Sequence, residues 1–231
     1  MVTGTARAEP PSRFRAVIFD LGGVVMPSPM DTFRAYERRN GLPHRFLSEV
    51  VVNGGETGAW SRLERGELTL DQFAAEFDTE CAAAGGDVVT AELLAEIRTG
   101  SGPRAPMVAA IGAIRRRGLR TAALTNNWSD PARAESTARD AFDELFDLVV
   151  ESSVEGLRKP DVRIYELTLA RLDVAPGDAV FLDDLGTNLK PARTMGMTTI
   201  KVEDVATALD ELARVLGFPL DDGSDAPRAD K

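Results

Sequence analysis

The sequence is short of the residues that most often carry metal and redox chemistry. It holds one cysteine, Cys81, and one histidine, His44, in 231 residues. A single cysteine excludes an internal disulfide and fits a reducing compartment. Cys81 lies in an alanine-rich helical stretch without a histidine nearby, so it reads as a small core residue rather than a catalytic thiol. His44 follows Pro43 at a helix start and reads as a surface position rather than a base. So few nitrogen and sulfur ligands exclude a zinc site. No apolar run approaches the ~20 residues of a membrane span, and no repeat is present. Residues 1–14 carry a glycine, two prolines and mixed charges where a signal peptide would have an apolar segment. Positive charge is also scarce: 27 Lys and Arg stand against 37 Asp and Glu, a net charge of −10. That balance excludes a broad basic field for nucleic acid. It leaves room for a small anion held by local positive charge. The expectation is a cytoplasmic protein without a nucleic-acid or membrane partner, a monomer or a homodimer.

The composition is otherwise ordinary for a globular chain, and the length suits a large core domain with a smaller one. The stretch Arg15-Ala16-Val17-Ile18-Phe19-Asp20-Leu21-Gly22-Gly23 organises the rest. Residues 16–19 are apolar and partly β-branched, as in a buried parallel strand. The strand stops on Asp20, and two glycines let the chain turn sharply. Ligands of open α/β sheets bind outside the carboxyl ends of strands, so Asp20 is a candidate nucleophile or metal ligand. A strand-ending acid that caps a turn is the competing reading.

Pro27-Ser28-Pro29 reads as a linker-like break. Helical patterns then follow over residues 32–40, 46–52, 56–65, from Thr69, and over 91–98, with no strand among them. Beyond residue 102 the pattern alternates. A helix opens at Pro103 or Pro106 and runs to 117, and strands are expected at 119–124, 145–150, 179–182 and 198–202. Helices are expected from Pro131 and over 161–172, 188–195 and 205–216. Such alternation predicts an α/β fold with a doubly wound parallel sheet. The core is assigned to residues 15–28 plus 103–218 and an all-helical insert to 29–102, with disordered tails at 1–14 and 219–231.

Three of the predicted strands end in polar residues: Asp20, Thr125, and the pair Asp183-Asp184. Lys159 sits in the loop Gly156-Leu157-Arg158-Lys159-Pro160 after another. In parallel neighbours these groups gather at one sheet edge. Three carboxylates in one crevice repel one another, and Mg²⁺ with a lysine offsets them. Oxygen ligands favour Mg²⁺.

Four motifs in this order resemble the haloacid dehalogenase superfamily of hydrolases, in the subgroup with a helical cap after the first strand. They are Phe19-Asp20-Leu21-Gly22-Gly23-Val24, Leu124-Thr125-Asn126, Lys159-Pro160, and Phe181-Leu182-Asp183-Asp184 followed by Asn188. The opening strand and the cap phrase Trp60…Glu64-Arg65-Gly66-Glu67 resemble one branch in particular. That branch holds the N-terminal phosphatase domain of soluble epoxide hydrolase and the related domain of some multidomain acyl-CoA dehydrogenases.

The resemblance implies a Rossmann-like core, a Mg²⁺-dependent phosphatase and a small phosphorylated substrate. It implies that Asp20 attacks phosphorus and forms an aspartyl-phosphate. Thr125 and Lys159 would serve the phosphoryl group. Gly22, Gly23, Asn126 and Asn127 would lie against phosphate or leaving group. Asp20, the carbonyl of Gly22, Asp183, Asp184 and Asn188 would form the metal shell. For Trp128, packing is the equal alternative to a leaving-group contact. Arg34, Arg38, Arg39 and Arg62 of the insert suit either a second anionic group or a solvated helix face.

The sequence departs from the family at Gly22. Phosphatases of the superfamily carry a second aspartate there as general acid and base. A glycine moves no proton, a loss worth about 10² to 10⁴ in rate. Three readings follow: a slow phosphatase, or one acting on a good leaving group such as an acyl phosphate; a non-catalytic phosphate- and Mg²⁺-binding regulatory module; and a metal-free 2-haloacid dehalogenase. Against the last stands the unneutralised charge of Asp183-Asp184.

Overall fold

A computed structural model describes residues 12–99, 102–130 and 144–220. Five strands form one parallel sheet: β1 (Ala16–Phe19), β2 (Arg120–Thr125), β3 (Leu148–Glu151), β4 (Ala179–Asp183) and β5 (Thr198–Lys201), in the spatial order β3-β2-β1-β4-β5. β1 is therefore central. Its side chains alternate between the two faces, and each face has its own core. Val17 and Phe19 pack with α6 (Ala105–Arg116) and α10 (Val205–Leu216). Ala16 and Ile18 pack with α8 (Val162–Leu172) and α9 (Gly186–Thr194). Helices on both faces explain why the strands read as continuous apolar runs.

The insert between β1 and β2 is helical, as expected. It comprises α1 (Pro29–Asn40), α2 (Phe46–Gly54), α3 (Ala59–Glu64), α4 (Leu70–Ala83) and α5 (Thr90–Arg98). These helices close a core of their own around Trp60, against which Phe33 and Phe73 stand edge-on at 5.2 and 5.5 Å. Such pairs add about 0.5–1.5 kcal/mol each beyond the area they bury. Cys81 is fully buried in this core, and its thiol is pushed up to about 12 by burial. It is a packing residue, as the sequence suggests. Thr69 starts α4 through a reciprocal capping box with Gln72.

Several boundaries move for identifiable reasons. Pro27-Ser28-Pro29 is not a break: Ser28 accepts the Met30 N–H and Pro29 opens α1. The helix expected over 56–65 is divided, with a short 3₁₀ turn (Gly55–Thr57) before α3. Gly58 between them is extended (φ −67°, ψ 156°) and passes close over Gly54. The third strand is shorter than expected, and a one-turn helix, α7 (Ser152–Glu155), follows it directly. The tails need correction at their inner ends. Phe14 and Leu220 are 3% and 8% exposed and belong to the sheet's core. Single apolar residues flanked by polar ones gave no periodic signal there. The helix expected from Pro131 lies outside the described residues. No helix among the described residues is long and apolar enough to cross a membrane.

Candidate active site

Asp20 follows the last residue of β1, and its backbone N–H still donates to the Leu182 carbonyl at 2.8 Å. That bond continues the sheet one step and sets Asp20 level with Asp183 at the end of β4. The carboxylates of Asp20, Asp183 and Asp184 offer oxygens within 4.8 Å of one another. Lys159 reaches them from the loop after α7. Its Nζ lies 2.8 Å from Asp20 Oδ1 and 2.7 Å from Asp183 Oδ2. Asp20, Lys159 and Asp183 are all buried.

The charge of this cluster is unbalanced. Burial is the largest influence on Asp20 and pushes its carboxyl well above the usual range; Lys159 opposes the shift, while Asp183 and Asp184 add to it. Asp184 is pushed up to about 6, again by burial first and then by Asp183. For Lys159 burial acts downward, but the attraction of Asp20 and Asp183 outweighs it and raises the ammonium's pKa. Three carboxylates with one ammonium leave a net −2 if all are ionised, the charge a divalent cation cancels. An all-oxygen donor set in that geometry suits Mg²⁺.

The neighbouring residues hold the cluster in shape. Asp183 accepts the Leu185 N–H at 2.8 Å, and Asn188 Nδ2 donates to both its oxygens at 3.1 Å. Asn188 thus orients a carboxylate through its amide nitrogen. Gly23 has φ +80°, and a Cβ there would lie 2.2 Å from Asp184 Oδ2. Only glycine allows the loop so close to that acid. Arg104, absent from the sequence reading, braces the same loop by donating to the carbonyls of Gly23 and Val24 at 2.8 and 3.2 Å. A Cβ on Gly22 would approach Pro29 Cδ to 3.3 Å, a tight but workable contact. Thr125 ends β2, 5% exposed.

Asn126 and Asn127 are both tied into the fold. The Asn126 side chain grips the backbone of Lys159, accepting its N–H at 2.8 Å and donating to its carbonyl at 3.0 Å. Asn127 donates its backbone N–H to Ser152 Oγ and its side-chain amide to Glu151 Oε1. These bonds tie it to the junction of β3 and α7. Trp128 packs edge-on against Trp60 at 5.8 Å. Arg34, Arg39 and Arg62 pair with Asp31, Glu96 and Glu76 of the insert itself. Glu64 and Arg158, which pair across the junction of insert and core, lie in the motif stretches, but nothing in their spacing announced a contact 94 residues apart.

A buried carboxylate, a lysine and two further acids thus gather at the carboxyl edge of a doubly wound sheet, and the family match makes the chain a hydrolase. The chain belongs to the haloacid dehalogenase-like hydrolases, whose family model matches residues 14–196. Among curated relatives, acyl-CoA dehydrogenase family member 10 of Mus musculus is 42% identical over 90% of this chain and 20% of its own length. Bifunctional epoxide hydrolase 2 of Sus scrofa is 36% identical over 89% of this chain and 39% of its own. The chain therefore spans about a fifth and two fifths of those relatives. Sesquiterpene phosphatase astK of Aspergillus oryzae is 28% identical over 88% of this chain and 97% of its own length. Among solved structures, a family enzyme of Bacteroides thetaiotaomicron in complex with magnesium and inorganic phosphate shares the fold at a TM-score of 0.60. It is 16% identical, over 84% of this chain and 98% of that one.

Proposed function

We propose that the chain is a Mg²⁺-dependent phosphatase of small phosphorylated metabolites that works through an aspartyl-phosphate on Asp20. The single observation that carries this reading is the placement of Lys159 Nζ between Asp20 and Asp183, 2.8 and 2.7 Å away. A lysine there opposes the upward push that burial gives the Asp20 carboxyl, favouring the ionised form a nucleophile requires, and supplies positive charge to an incoming phosphoryl group. The named relative phosphatase and the magnesium- and phosphate-bound neighbour support it. We assign the helical insert the part of a cap over the crevice.

Asp20, Asp183, Asp184 and the Gly22 carbonyl would hold Mg²⁺, which supplies charge neutralisation when bound. Asn188 keeps Asp183 oriented toward it. The Asp20 carboxylate attacks phosphorus, a new P–O bond forms, and the bond to the leaving oxygen breaks. Thr125 donates its hydroxyl to a phosphoryl oxygen. Water then attacks phosphorus, and phosphate leaves as Asp20 is restored. Gly22 offers no proton, so the leaving group departs as its anion or takes a proton from solvent. Substrates whose leaving group has a low pKa, such as acyl phosphates and aryl phosphates, are favoured for that reason. Gly22 also supports a second reading, a module that binds phosphate and Mg²⁺ without turnover.

Hydrolysis of acetyl phosphate and p-nitrophenyl phosphate decides between them. Turnover that needs Mg²⁺ and is abolished in Asp20→Asn is the expected result. Tight phosphate binding without turnover in the wild type selects the second reading instead.

A further inference from the structure

Besides an ion pair from Arg98 of α5 to Asp130 at 2.9 Å, insert and core meet at the carboxylate of Glu64. Glu64, the last residue of α3, is 7% exposed. Three donors converge on it. Trp60 Nε1 of the same helix donates to Oε1 at 3.0 Å. Arg158 Nε and Asn126 Nδ2, both from the core, donate to Oε2 at 2.7 and 3.3 Å. Arg158 also reaches Glu56 at 3.3 Å. Beside this junction Gly66 (φ +71°) presses on α7 so closely that a Cβ would stand 2.4 Å from the Ser153 carbonyl oxygen. The two parts thus meet without slack.

The contact does not end at the surface of the core. Asn126 also holds both backbone polar groups of Lys159, and Lys159 spans Asp20 and Asp183. A carboxylate serving only as a fastener would need Arg158 alone. Its bond to Asn126 extends the reach, by two further steps, to the ammonium at the centre of the site.

We propose that Glu64 is a positioning residue: with the insert closed on the sheet and Arg158 holding its carboxylate in place, it fixes the Asn126 amide and through it sets the Lys159 ammonium between Asp20 and Asp183. The proposal rests on the phosphatase reading for its kinetic consequence, though not for its structural one. A carboxylate is required because all three partners are donors. A glutamine turns its own NH₂ toward one of them, and the arrangement cannot close.

The test compares the wild-type chain with Glu64→Gln, using p-nitrophenyl phosphate and Mg²⁺. A misplaced lysine lowers kcat about 10- to 100-fold, while KM for this small substrate stays within about twofold. Because Glu64 acts through Asn126, the double variant Glu64→Gln/Asn126→Ala turns over no more slowly than Asn126→Ala alone. Hydrogen exchange over residues 156–159, followed without substrate or metal, is faster in Glu64→Gln than in the wild type. Glu64→Asp keeps the charge but is a methylene too short to span its partners. It reproduces the kcat loss in a folded protein should Glu64→Gln fail to fold.

Unchanged kcat in Glu64→Gln, losses that multiply in the double variant, or an exchange change confined to residues 60–66 would each overturn the positioning role. A wild type without turnover sinks the phosphatase reading alone. The exchange measurement then decides the positioning on its own.

Discussion

The ammonium nitrogen of Lys159 stands 2.7 Å from Asp183 Oδ2, and neither side chain is more than 1% exposed. Removing one member of such a buried pair costs about 3–5 kcal/mol, because the other charge is left without compensation. Lys159→Met therefore destabilises the metal-free protein by about that amount and abolishes phosphatase turnover. Urea unfolding with and without Mg²⁺ checks the first claim. Added Mg²⁺ is expected to recover part of the stability, since it neutralises the same carboxylates, but none of the activity.

Gly22 invites the opposite experiment, a gain. The family's second aspartate belongs at this position, and a Cβ there needs the Pro29 ring to give by only a few tenths of an ångström. Gly22→Asp restores a proton donor beside the leaving group. The expected gain in kcat is about 10²-fold for alkyl phosphates, which need protonation most, and much smaller for acetyl phosphate. Equal gains on both substrates would show that proton transfer is not what the native site lacks.

Gly23 next door tolerates no such change. Its φ of +80° and the 2.2 Å approach of a Cβ to Asp184 Oδ2 both argue against any side chain. Gly23→Ala is expected to displace Asp184 and to weaken Mg²⁺ binding at least tenfold, a change of about 1.4 kcal/mol. Calorimetric titration of the metal reads it.

The raised carboxyl of Asp184 gives a pH dependence with a definite sign. Its folded pKa of about 6 lies above the ordinary 3.8, so between those values the folded state binds the extra proton. Its contribution to stability is therefore largest at low pH and falls as pH rises through 6. In the metal-free protein, the wild type is expected to lose more stability than Asp184→Asn between pH 5 and pH 7. Mg²⁺ competes with that proton, so the metal stabilises the wild type more at pH 7 than at pH 5. Thermal melts at the two pH values measure both effects.

The sheet was legible because strands buried on both faces write themselves as short apolar runs, and residues 16–19 and 179–182 needed no other clue. The polar residues that end those strands were legible for the same reason. Asp20, Asp183 and Lys159 meet as the ordered motifs implied. What escaped was long-range or local in a way that periodicity does not register. The division of the helix at Gly58 depends on a backbone passing over Gly54. The commitment of Asn127 to Glu151 and Ser152 depends on α7, a single turn with no hydrophobic period. Glu64 and Arg158 carry ordinary surface chemistry in the sequence. Only the docking of the insert on the loop before Pro160 brings them together.

The chain has two tryptophans, and both stand at the seam between insert and sheet, 5.8 Å apart. Trp60 belongs to the insert's core and donates to Glu64, whereas Trp128 follows β2. Every photon of indole emission from this protein thus originates where the two parts touch. Were the insert to open as the proposed cap, that emission would change with no label attached, so the native molecule carries its own optical gauge of the seam.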